Sequence, residues 1–421
     1  MKVTYFQQVP YRHLDDDFER RHESVVTTPY FETTKPAHVA SAFRDALDEC
    51  MIAARAGFDG ITITEHSQSA YDMIPNPDLL ESALAYVTEV ENLPVALFPV
   101  GRSLGKSREP LRVAEEQAMI DCISNGRLVA GFPVGLAYDA NVNNGVPPAE
   151  TRARFDENLE LILRAWNEEK PFPFNGKFSQ HGSVNLWPRP IQQPRPPVWI
   201  TGIGNPKTME FCLSRNFGFN YFGWFGSKLT GRRIFDRFGS VAEQLGKPRN
   251  PFQIGFMQSV AVAETDAEAE RIYGPHIEYF FRKGLGSIPT NRLMIPGGID
   301  IRGLEFIFRD PSDFGMYEKM RTASFRELRD AGCVICGSPE TVRDQLVEMC
   351  IDFGIGNLHA MLQYGSMPKA LTQQNIDLFA SEVLPHLKPI FADKYDHHWW
   401  PERLGGKPAV SETAREEEDA L

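Results

Sequence analysis

The chain has 421 residues, of which 42% are hydrophobic and 24% charged, as is typical of a globular protein with a large core. No run of about 18 apolar residues occurs, which argues against a membrane span. The formal net charge of −12 argues against a nucleic-acid partner, because such a partner requires a basic surface. A strand-like segment follows Met1 without a signal-peptide pattern, so we expect a cytoplasmic protein that acts on small molecules.

Strand and helix patterns alternate along the chain. Short apolar or β-branched segments predict strands at 2–6, 60–64, 94–100, 128–132, 198–201, 218–222, 253–263 and 358–363. Periodicity and capping residues predict helices at about 43–54, 78–91 and 110–124, from Pro148, Pro206, Thr265 and Ser338, and at 368–387. Eight strands are the number that closes a parallel sheet into a barrel.

We therefore predict a single α/β domain, a (β/α)8 TIM barrel over residues 1–403. Its insertions, at about 7–36, 171–197 and 286–325, are expected at the C-terminal face of the strands. The polar segment 404–421 is predicted to be a disordered tail. A doubly wound sheet is the alternative, but it requires a glycine-rich dinucleotide turn after the first strand, and a 30-residue loop stands there instead.

Six cysteines are present, and Cys333 and Cys336 have the spacing of a redox or zinc motif. No second cysteine pair completes a zinc site, and the apolar surroundings favour packed thiols on a strand. His397 and His398 lack an acidic ligand set, so no metal site is predicted.

Active-site residues of a barrel follow the C-terminal ends of its strands. Glu65 and His66 follow the second strand, where a histidine can act as acid, base or hydrogen-bond donor, or can simply pack. Pro99 interrupts the third strand. Either the backbone bends there, through a bulge or a cis bond between Phe98 and Pro99, or the strand ends one residue earlier.

The fifth strand runs through Thr201 into a turn with Gly202 and Gly204, and then into a helix whose first turn carries Thr208. Glycines let backbone N–H groups approach a ligand, and a helix N-terminus attracts phosphate. An ordinary strand–helix loop has the same pattern, but the position after a late barrel strand favours a phosphate site.

Several segments, in order along most of the chain, resemble the bacterial luciferase family of flavin-dependent oxidoreductases. They are 56–60 with 64–66, 109–116, 121–131, 188–192, 196–198 and 337–342. The resemblance implies a monooxygenase that uses reduced FMN, supplied as a co-substrate by a separate NAD(P)H:flavin reductase, and O2. The reaction would be hydroxylation or Baeyer–Villiger oxidation of a small organic substrate. Family members commonly pair through barrel helices, which implies a homodimer.

The same resemblance assigns roles to single residues. His66 would be the catalytic residue beside the flavin, and a cis bond between Phe98 and Pro99 would lie under it. The other cofactor-binding residues would be Glu65 and Tyr138 at the flavin, with Thr201, Gly202, Gly204 and Thr208 at its phosphate.

Three departures from luciferase itself argue against light emission: Ser67 replaces a second histidine, Val134 an arginine, and Ile203 an acidic residue. The long loop 7–36 leaves from the active-site end, so Tyr11, Arg12 and His13 are predicted to line a substrate pocket or lid. A role in dimer contacts is equally compatible with the loop. An F420-dependent oxidoreductase and a catalytically silent flavin-binding relative stay open as alternatives, and the sequence does not identify the substrate.

Overall fold

The computed structural model describes residues 1–222, 227–293, 295 and 319–407. In this part of the chain, nine parallel strands form one sheet. They are β1 (Lys2–Gln7), β2 (Gly60–Ile63), β3 (Ala96–Phe98), β4 (Ala130–Gly131), β7 (Val198–Gly202), β8 (Gly218–Tyr221), β9 (Ile254–Val262), β10 (Val334–Gly337) and β11 (Asn357–Met361). Two further strands, β5 (Phe172–Asn175) and β6 (Gln180–Val184), form an antiparallel hairpin within the insertion predicted at 171–197.

Eight of the strands follow one another in the order β3, β2, β1, β11, β9, β8, β7, β4. The edges β3 and β4 then meet: the Leu97 N–H donates to the Arg127 carbonyl at 2.9 Å, and the Val129 N–H donates to the Leu97 carbonyl at 2.8 Å. These bonds close the ring, so the predicted (β/α)8 barrel is confirmed.

The ninth strand, β10, was not included in the predicted count of eight. Ser259 of β9 pairs with both Val334 of β10 and Met361 of β11, so these two strands flank β9 on opposite edges. β10 therefore continues the edge of β9 on which β8 ends. It carries Cys333 and Cys336 into the core, where burial raises the pKa of both thiols to about 12, as expected of packed cysteines.

Helices surround the barrel. Their bounds are Phe18–Arg21, Tyr30–Thr33, Pro36–Arg55, Pro77–Val90, Pro110–Ile123, Thr151–Asn167, Pro206–Ser214, Arg232–Gln244, Asp266–Tyr279, Thr290–Leu293, Phe325–Asp330, Pro339–Phe353, Lys369–Glu382 and Leu384–Leu387. The helix Arg232–Gln244 was not predicted. Several helices begin with proline, whose missing N–H costs nothing in a first turn. No helix in the described ranges has the length and apolarity needed to cross a membrane.

Alternate strand residues belong to two separate apolar clusters, because successive side chains of a strand point to opposite faces. Val3 and Tyr5 of β1 pack outward against the helices, whereas Phe6 packs inside the barrel. The interior also holds a polar layer. His359 Nδ1 lies 2.8 Å from Thr4 Oγ1, and its Nε2 lies 2.9 Å from Asn220 Oδ1.

The C-terminal segment closes the N-terminal end of the barrel. The Trp199 indole N–H donates to the Trp399 carbonyl at 2.8 Å, and His397 Nε2 lies 2.8 Å from Asn357 Oδ1. Of the tail predicted at 404–421, residues 408–421 lie outside the described ranges. The Lys407 N–H donates to the His397 carbonyl at 2.9 Å, which attaches the residues up to 407 to this C-terminal segment, called the C-terminal plug below.

The first insertion, 7–36, packs at the opposite end, where the strands terminate. The Tyr11 N–H donates to the Ala70 carbonyl at 2.9 Å, and the Leu14 N–H donates to the Tyr279 hydroxyl at 3.0 Å. Lys283 Nζ donates to the Asp15 carbonyl at 2.6 Å. The predicted position of this loop is therefore confirmed. The insertion 171–197 was expected at the same face, but this is wrong: Gln192 Nε2 donates to the Leu128 carbonyl at 2.8 Å, just before β4 begins, so this insertion lies at the N-terminal end of the strands. Of the insertion predicted at 286–325, residues 294 and 296–318 lie outside the described ranges.

Candidate functional site

The C-terminal ends of β2, β3, β4 and β7 are packed against one another at one side of the rim. A Cβ on Gly101, after β3, would lie 2.1 Å from the backbone N of Glu65, after β2. A Cβ on Gly131 would lie 2.7 Å from Val100 Cα, and the Thr201 hydroxyl donates to the Val100 carbonyl at 3.2 Å. Most of the residues predicted to bind a cofactor therefore belong to one continuous surface.

His66 lies on this surface and is held by two residues that follow β4. Its Nδ1 lies 2.8 Å from Asp139 Oδ2 and 2.8 Å from the Tyr138 hydroxyl. The His66 and Tyr138 rings stack with their centroids 5.9 Å apart. Both partners come from the π-helical turn Tyr138–Asn143. His66 and Tyr138, which were each predicted to lie at the flavin, are thus in contact, and the His66 side chain keeps 13% of its surface exposed.

Nearby carboxylates raise the pKa of His66. Burial disfavours the imidazolium and lowers the pKa of His66, but the carboxylates of Asp139 and Asp72 outweigh burial, so that the pKa lies above its ordinary value of 6.5. His359, inside the barrel, gives the contrast: it faces no such partner in the described structure, and burial lowers its pKa to about 3. His66 can therefore carry a proton near neutral pH, whereas His359 is neutral.

The two carboxylates also tie the loops around His66 together. Asp139 Oδ1 accepts a hydrogen bond from the Ser67 N–H at 2.7 Å. Asp72 accepts one from the Val9 N–H at 2.9 Å and another from the Thr64 hydroxyl. Burial raises the pKa of Asp72, with His66 acting in the opposite direction. Segments that follow β1, β2 and β4 are thereby fixed relative to the imidazole.

Glu65 points away from His66, into a buried ion cluster. Its carboxylate lies 2.6 Å from Lys106 Nζ and 3.4 Å from Arg102 Nη1. Lys106 also donates to the Ser67 hydroxyl at 2.9 Å. Glu65 was predicted to bind the cofactor, but its side chain is paired with these two cations. The pairing instead favours a role for Glu65 in positioning the turn that carries His66.

The expected cis bond between Phe98 and Pro99 is wrong. The cis peptide bonds of the described residues precede Pro188 and Pro194. β3 ends at Phe98, and the Val100 N–H donates to the Phe98 carbonyl at 2.8 Å in a tight turn around Pro99. Because the strand ends before the proline, no ladder bond is lost. The Phe98 ring faces the interior, edge-on to His359 with centroids 5.5 Å apart.

The glycine turn after β7 has a part of the predicted phosphate-binding geometry. Gly204 adopts φ +96°, and Thr208 is buried in the first turn of the helix Pro206–Ser214. The Asn205 side chain, however, accepts the Lys207 N–H at 3.0 Å, so the protein itself uses one amide of that helix end. An anion would have to rely on the amides of the preceding turn and on the Thr208 hydroxyl.

The residues predicted for a substrate pocket lie at the edge of the site. Tyr11 is buried, and its hydroxyl accepts the Lys35 N–H at 3.1 Å. Arg12 lies 2.8 Å from the buried carboxylate of Glu49, so its charge is already balanced. His13 is exposed and stacks on His38, with ring centroids 4.1 Å apart. Their role in substrate binding stays a prediction.

Asp72, Lys106 and Asp139 were not found from the sequence. Asp139 directly follows Tyr138, which the resemblance singled out, but no local motif distinguishes its carboxylate from other surface-prone aspartates. Among the described residues, no group of three or more His, Cys, Asp or Glu residues is arranged to hold a metal ion.

The sequence profile of the luciferase-like monooxygenase family matches residues 24–355. The chain therefore belongs to the luciferase-like monooxygenase family, as its resemblance predicted. The oxygenase component of the flavin-dependent trigonelline monooxygenase of Acinetobacter baylyi is 27% identical over 231 residues, which cover 54% of this chain and 61% of that protein. The 2,5-diketocamphane 1,2-monooxygenase 2 of Pseudomonas putida is 26% identical over 389 residues, which cover 86% of this chain and 98% of that protein.

A solved structure is also similar. It is the oxygenating constituent of the 3,6-diketocamphane monooxygenase of Pseudomonas putida, a type II Baeyer–Villiger monooxygenase, in complex with FMN. The TM-score is 0.65 at 20% sequence identity, and the match covers 91% of this chain and 98% of that one. At this identity the likeness establishes the barrel fold.

Replacing Asp139 with Asn is expected to lower the pKa of His66, because burial is then opposed mainly by Asp72. The raised pKa means that the His66–Asp139 interaction stabilises the fold fully below pH 6.5 and that this contribution is lost as the pH rises through the folded-state value. The variant should therefore lose about 2 kcal/mol of unfolding free energy at pH 6 and less at pH 9. NMR titration of His66 and urea unfolding at both pH values measure this.

Asp156→Asn is the matched control, because Asp156 is an exposed carboxylate that pairs with Arg152 on the surface. An unchanged His66 titration in the Asp139 variant would contradict the assignment of Asp139 as the dominant partner.

Proposed function

We propose that this protein is the oxygenase component of a two-component flavin-dependent monooxygenase, which uses reduced FMN and O2 to oxygenate a small organic substrate. The observation that carries the proposal is His66, which lies at the barrel mouth with a raised pKa and is fixed by Asp139 and Tyr138. The proposal is supported by the trigonelline relative, which is described as an oxygenase component, by the 2,5-diketocamphane monooxygenase, and by the 3,6-diketocamphane structure, which holds FMN.

The residues present fit FMN. The turn from Gly202 to Thr208 combines a positive-φ glycine, a helix N-terminus and a buried hydroxyl, which suits a phosphate monoester. Across the rim, Pro99 and Tyr138 provide buried, largely apolar surface next to His66, which suits an aromatic ring system. When bound, reduced FMN supplies the two electrons with which O2 is activated.

The part of His66 in this chemistry follows from its hydrogen bonds. Asp139 occupies Nδ1, so Nε2 is the nitrogen that can donate to a ligand. The Asp139 carboxylate raises the pKa of His66 and so favours the imidazolium, in which Nε2 carries a proton and can stabilise negative charge that develops on oxygen. Tyr138 restrains the ring plane, so the donor is oriented before a ligand arrives.

Exclusion of water is the second task of an oxygenase site, since water promotes wasteful release of reactive oxygen. The loop 7–36 and the segment Phe280–Gly284 pack beside the mouth, where Tyr71 contacts Phe280 with ring centroids 6.0 Å apart. We propose that the loop is part of the substrate enclosure and that a separate NAD(P)H:flavin reductase supplies reduced FMN.

His66→Ala is the direct test of this function. In stopped-flow mixing of the protein with reduced FMN and aerated buffer, wild-type protein should give a transient absorbance distinct from that of oxidised FMN. The variant should shorten its lifetime by about a hundredfold, the lower range for loss of a positioned proton donor. Its FMN affinity should change little, because the phosphate turn is untouched.

His386→Ala, at an exposed histidine on the surface, is the control. A His66 variant that behaves like wild-type protein would show that His66 is not the catalytic group. Absence of any transient in wild-type protein, together with tight F420 binding, would instead favour the F420-dependent alternative.

We also propose a homodimer. The helices Pro77–Val90 and Pro110–Ile123 are neighbours and expose large apolar side chains, among them Leu79, Tyr86, Val90 and Met119. Leu79, Tyr86 and Val90 recur at helical spacing on one face, and their exposed fractions of 61–71% are unusual for such residues. A second copy of the chain would bury this stripe.

Sedimentation velocity tests the dimer. Wild-type protein should sediment as a species of about twice the chain mass of 47.5 kDa, and Tyr86→Glu should sediment as the monomer, because a charge cannot be buried at an apolar interface. Tyr395→Glu, at an exposed tyrosine elsewhere, should stay dimeric. A monomeric wild-type protein would overturn the proposal.

A further inference from the structure

Two buried glutamines, Gln8 and Gln363, follow the neighbouring strands β1 and β11 at the barrel mouth. The register of β1 and β11 is constant, from Lys2 opposite Asn357 to Tyr5 opposite Ala360. The pairing ends there; extended by three residues, the same register would bring Gln8 opposite Gln363. The alternation of the strands, extended likewise, would turn both side chains inward, above the interior residues Phe6 and Met361. Each glutamine is only 1% exposed.

These buried amides are not satisfied by the described part of the protein. Neither Oε1 nor Nε2 of Gln363 has a hydrogen-bond partner there, and the same holds for Oε1 of Gln8. Native proteins rarely leave buried polar atoms unpaired, so these amides at the barrel mouth require a partner, which a ligand can supply. Gln8 Nε2 is used: it donates to the Tyr71 hydroxyl at 2.9 Å.

Tyr71 connects the amides to the proposed catalytic residue. The centroids of the Tyr71 and His66 rings are 5.1 Å apart. The residues proposed above to hold FMN follow β2, β3, β4 and β7. β1 and β11 continue the ring beyond β2 on the other side of His66, so the amides face the part of the mouth that the flavin residues leave to a substrate.

We propose that Gln8 and Gln363 form the substrate-recognition site and that they bind a neutral group in which a carbonyl oxygen stands next to an N–H or O–H. This inference rests on the proposed function for its placement relative to the flavin. Gln363 supplies N–H donors for the carbonyl oxygen, and the two Oε1 atoms accept from the neighbouring N–H or O–H.

The chemistry of the pair excludes other substrate classes. A carboxylate would lie against the two Oε1 atoms, while the charges of Arg12 and His66 are already paired with Glu49 and Asp139. A pure hydrocarbon would leave the amides buried and unpaired. A site of this kind discriminates strongly against analogues that lack the matching polar group.

The test uses the full chain and the variants Gln363→Met and Gln8→Met. Methionine has nearly the length of glutamine but cannot form these hydrogen bonds. Gln374→Met, at an exposed glutamine on the helix Lys369–Glu382, is the matched control. The probes are 2-piperidone, a cyclic amide, and N-methyl-2-piperidone, which lacks the N–H, and their binding is measured by ligand-observed NMR with and without FMN.

Wild-type protein and the control should bind 2-piperidone about tenfold more tightly than its N-methyl derivative, and both active-site variants should lose this difference. The melting temperature of Gln363→Met should be unchanged or higher, because methionine removes an unpaired amide, whereas Gln8→Met also loses the hydrogen bond to Tyr71 and should melt slightly lower. The dissociation constant for FMN should stay within about twofold of the wild-type value, since the phosphate turn is distant from both glutamines in the strand order.

Three results would overturn the proposal: no discrimination between the probes by wild-type protein, discrimination that survives both substitutions, or weaker FMN binding in the variants with probe binding unchanged. The last would show that the amides hold the flavin itself. Failure of wild-type protein to bind FMN would contradict the proposed function, but the probe measurements without FMN would still decide the recognition site.

Discussion

The carboxylate of Asp139 makes two hydrogen bonds across the barrel rim, to His66 Nδ1 at 2.8 Å and to the Ser67 N–H at 2.7 Å. The acceptor of both bonds is one buried side chain that follows β4, and the two donors lie in the turn that follows β2. A buried carboxylate with charge-assisted bonds has few alternative positions. The orientation of His66, its charge and the relative placement of two loops therefore depend chiefly on Asp139, with Tyr138 and Asp72 contributing.

The barrel makes this arrangement possible by keeping its own interior filled. His359 occupies the polar layer between Thr4 and Asn220, and burial keeps it neutral. Trp199 and the C-terminal plug close the opposite end. Since the interior is packed up to the layer of His359, the mouth is the part of the barrel that can accept a ligand. Inward side chains nearer the C-terminal ends of the strands, such as Gln8, can then face that ligand.

The sequence predicted the features that depend on local pattern. Strand and helix spacing indicated the barrel, and the end of β2 identified His66 before any contact was known. Contacts between distant segments were beyond such reasoning: Asp139 is 73 residues from His66, and the pairing of β1 with β11, which precede Gln8 and Gln363, joins the two ends of the domain. The segment at Cys333 and Cys336 was interpreted as a strand but left out of the count of eight, because the sequence does not show that it pairs with the far part of β9.

The central claim is that FMN binds at this mouth with its ring next to His66, and a crystal structure of the FMN complex tests it most directly. The account predicts the phosphate at the turn from Gly202 to Thr208, within about 3 Å of its amides, and the ring system against His66. A phosphate bound elsewhere, or a ring that does not contact His66, would contradict it.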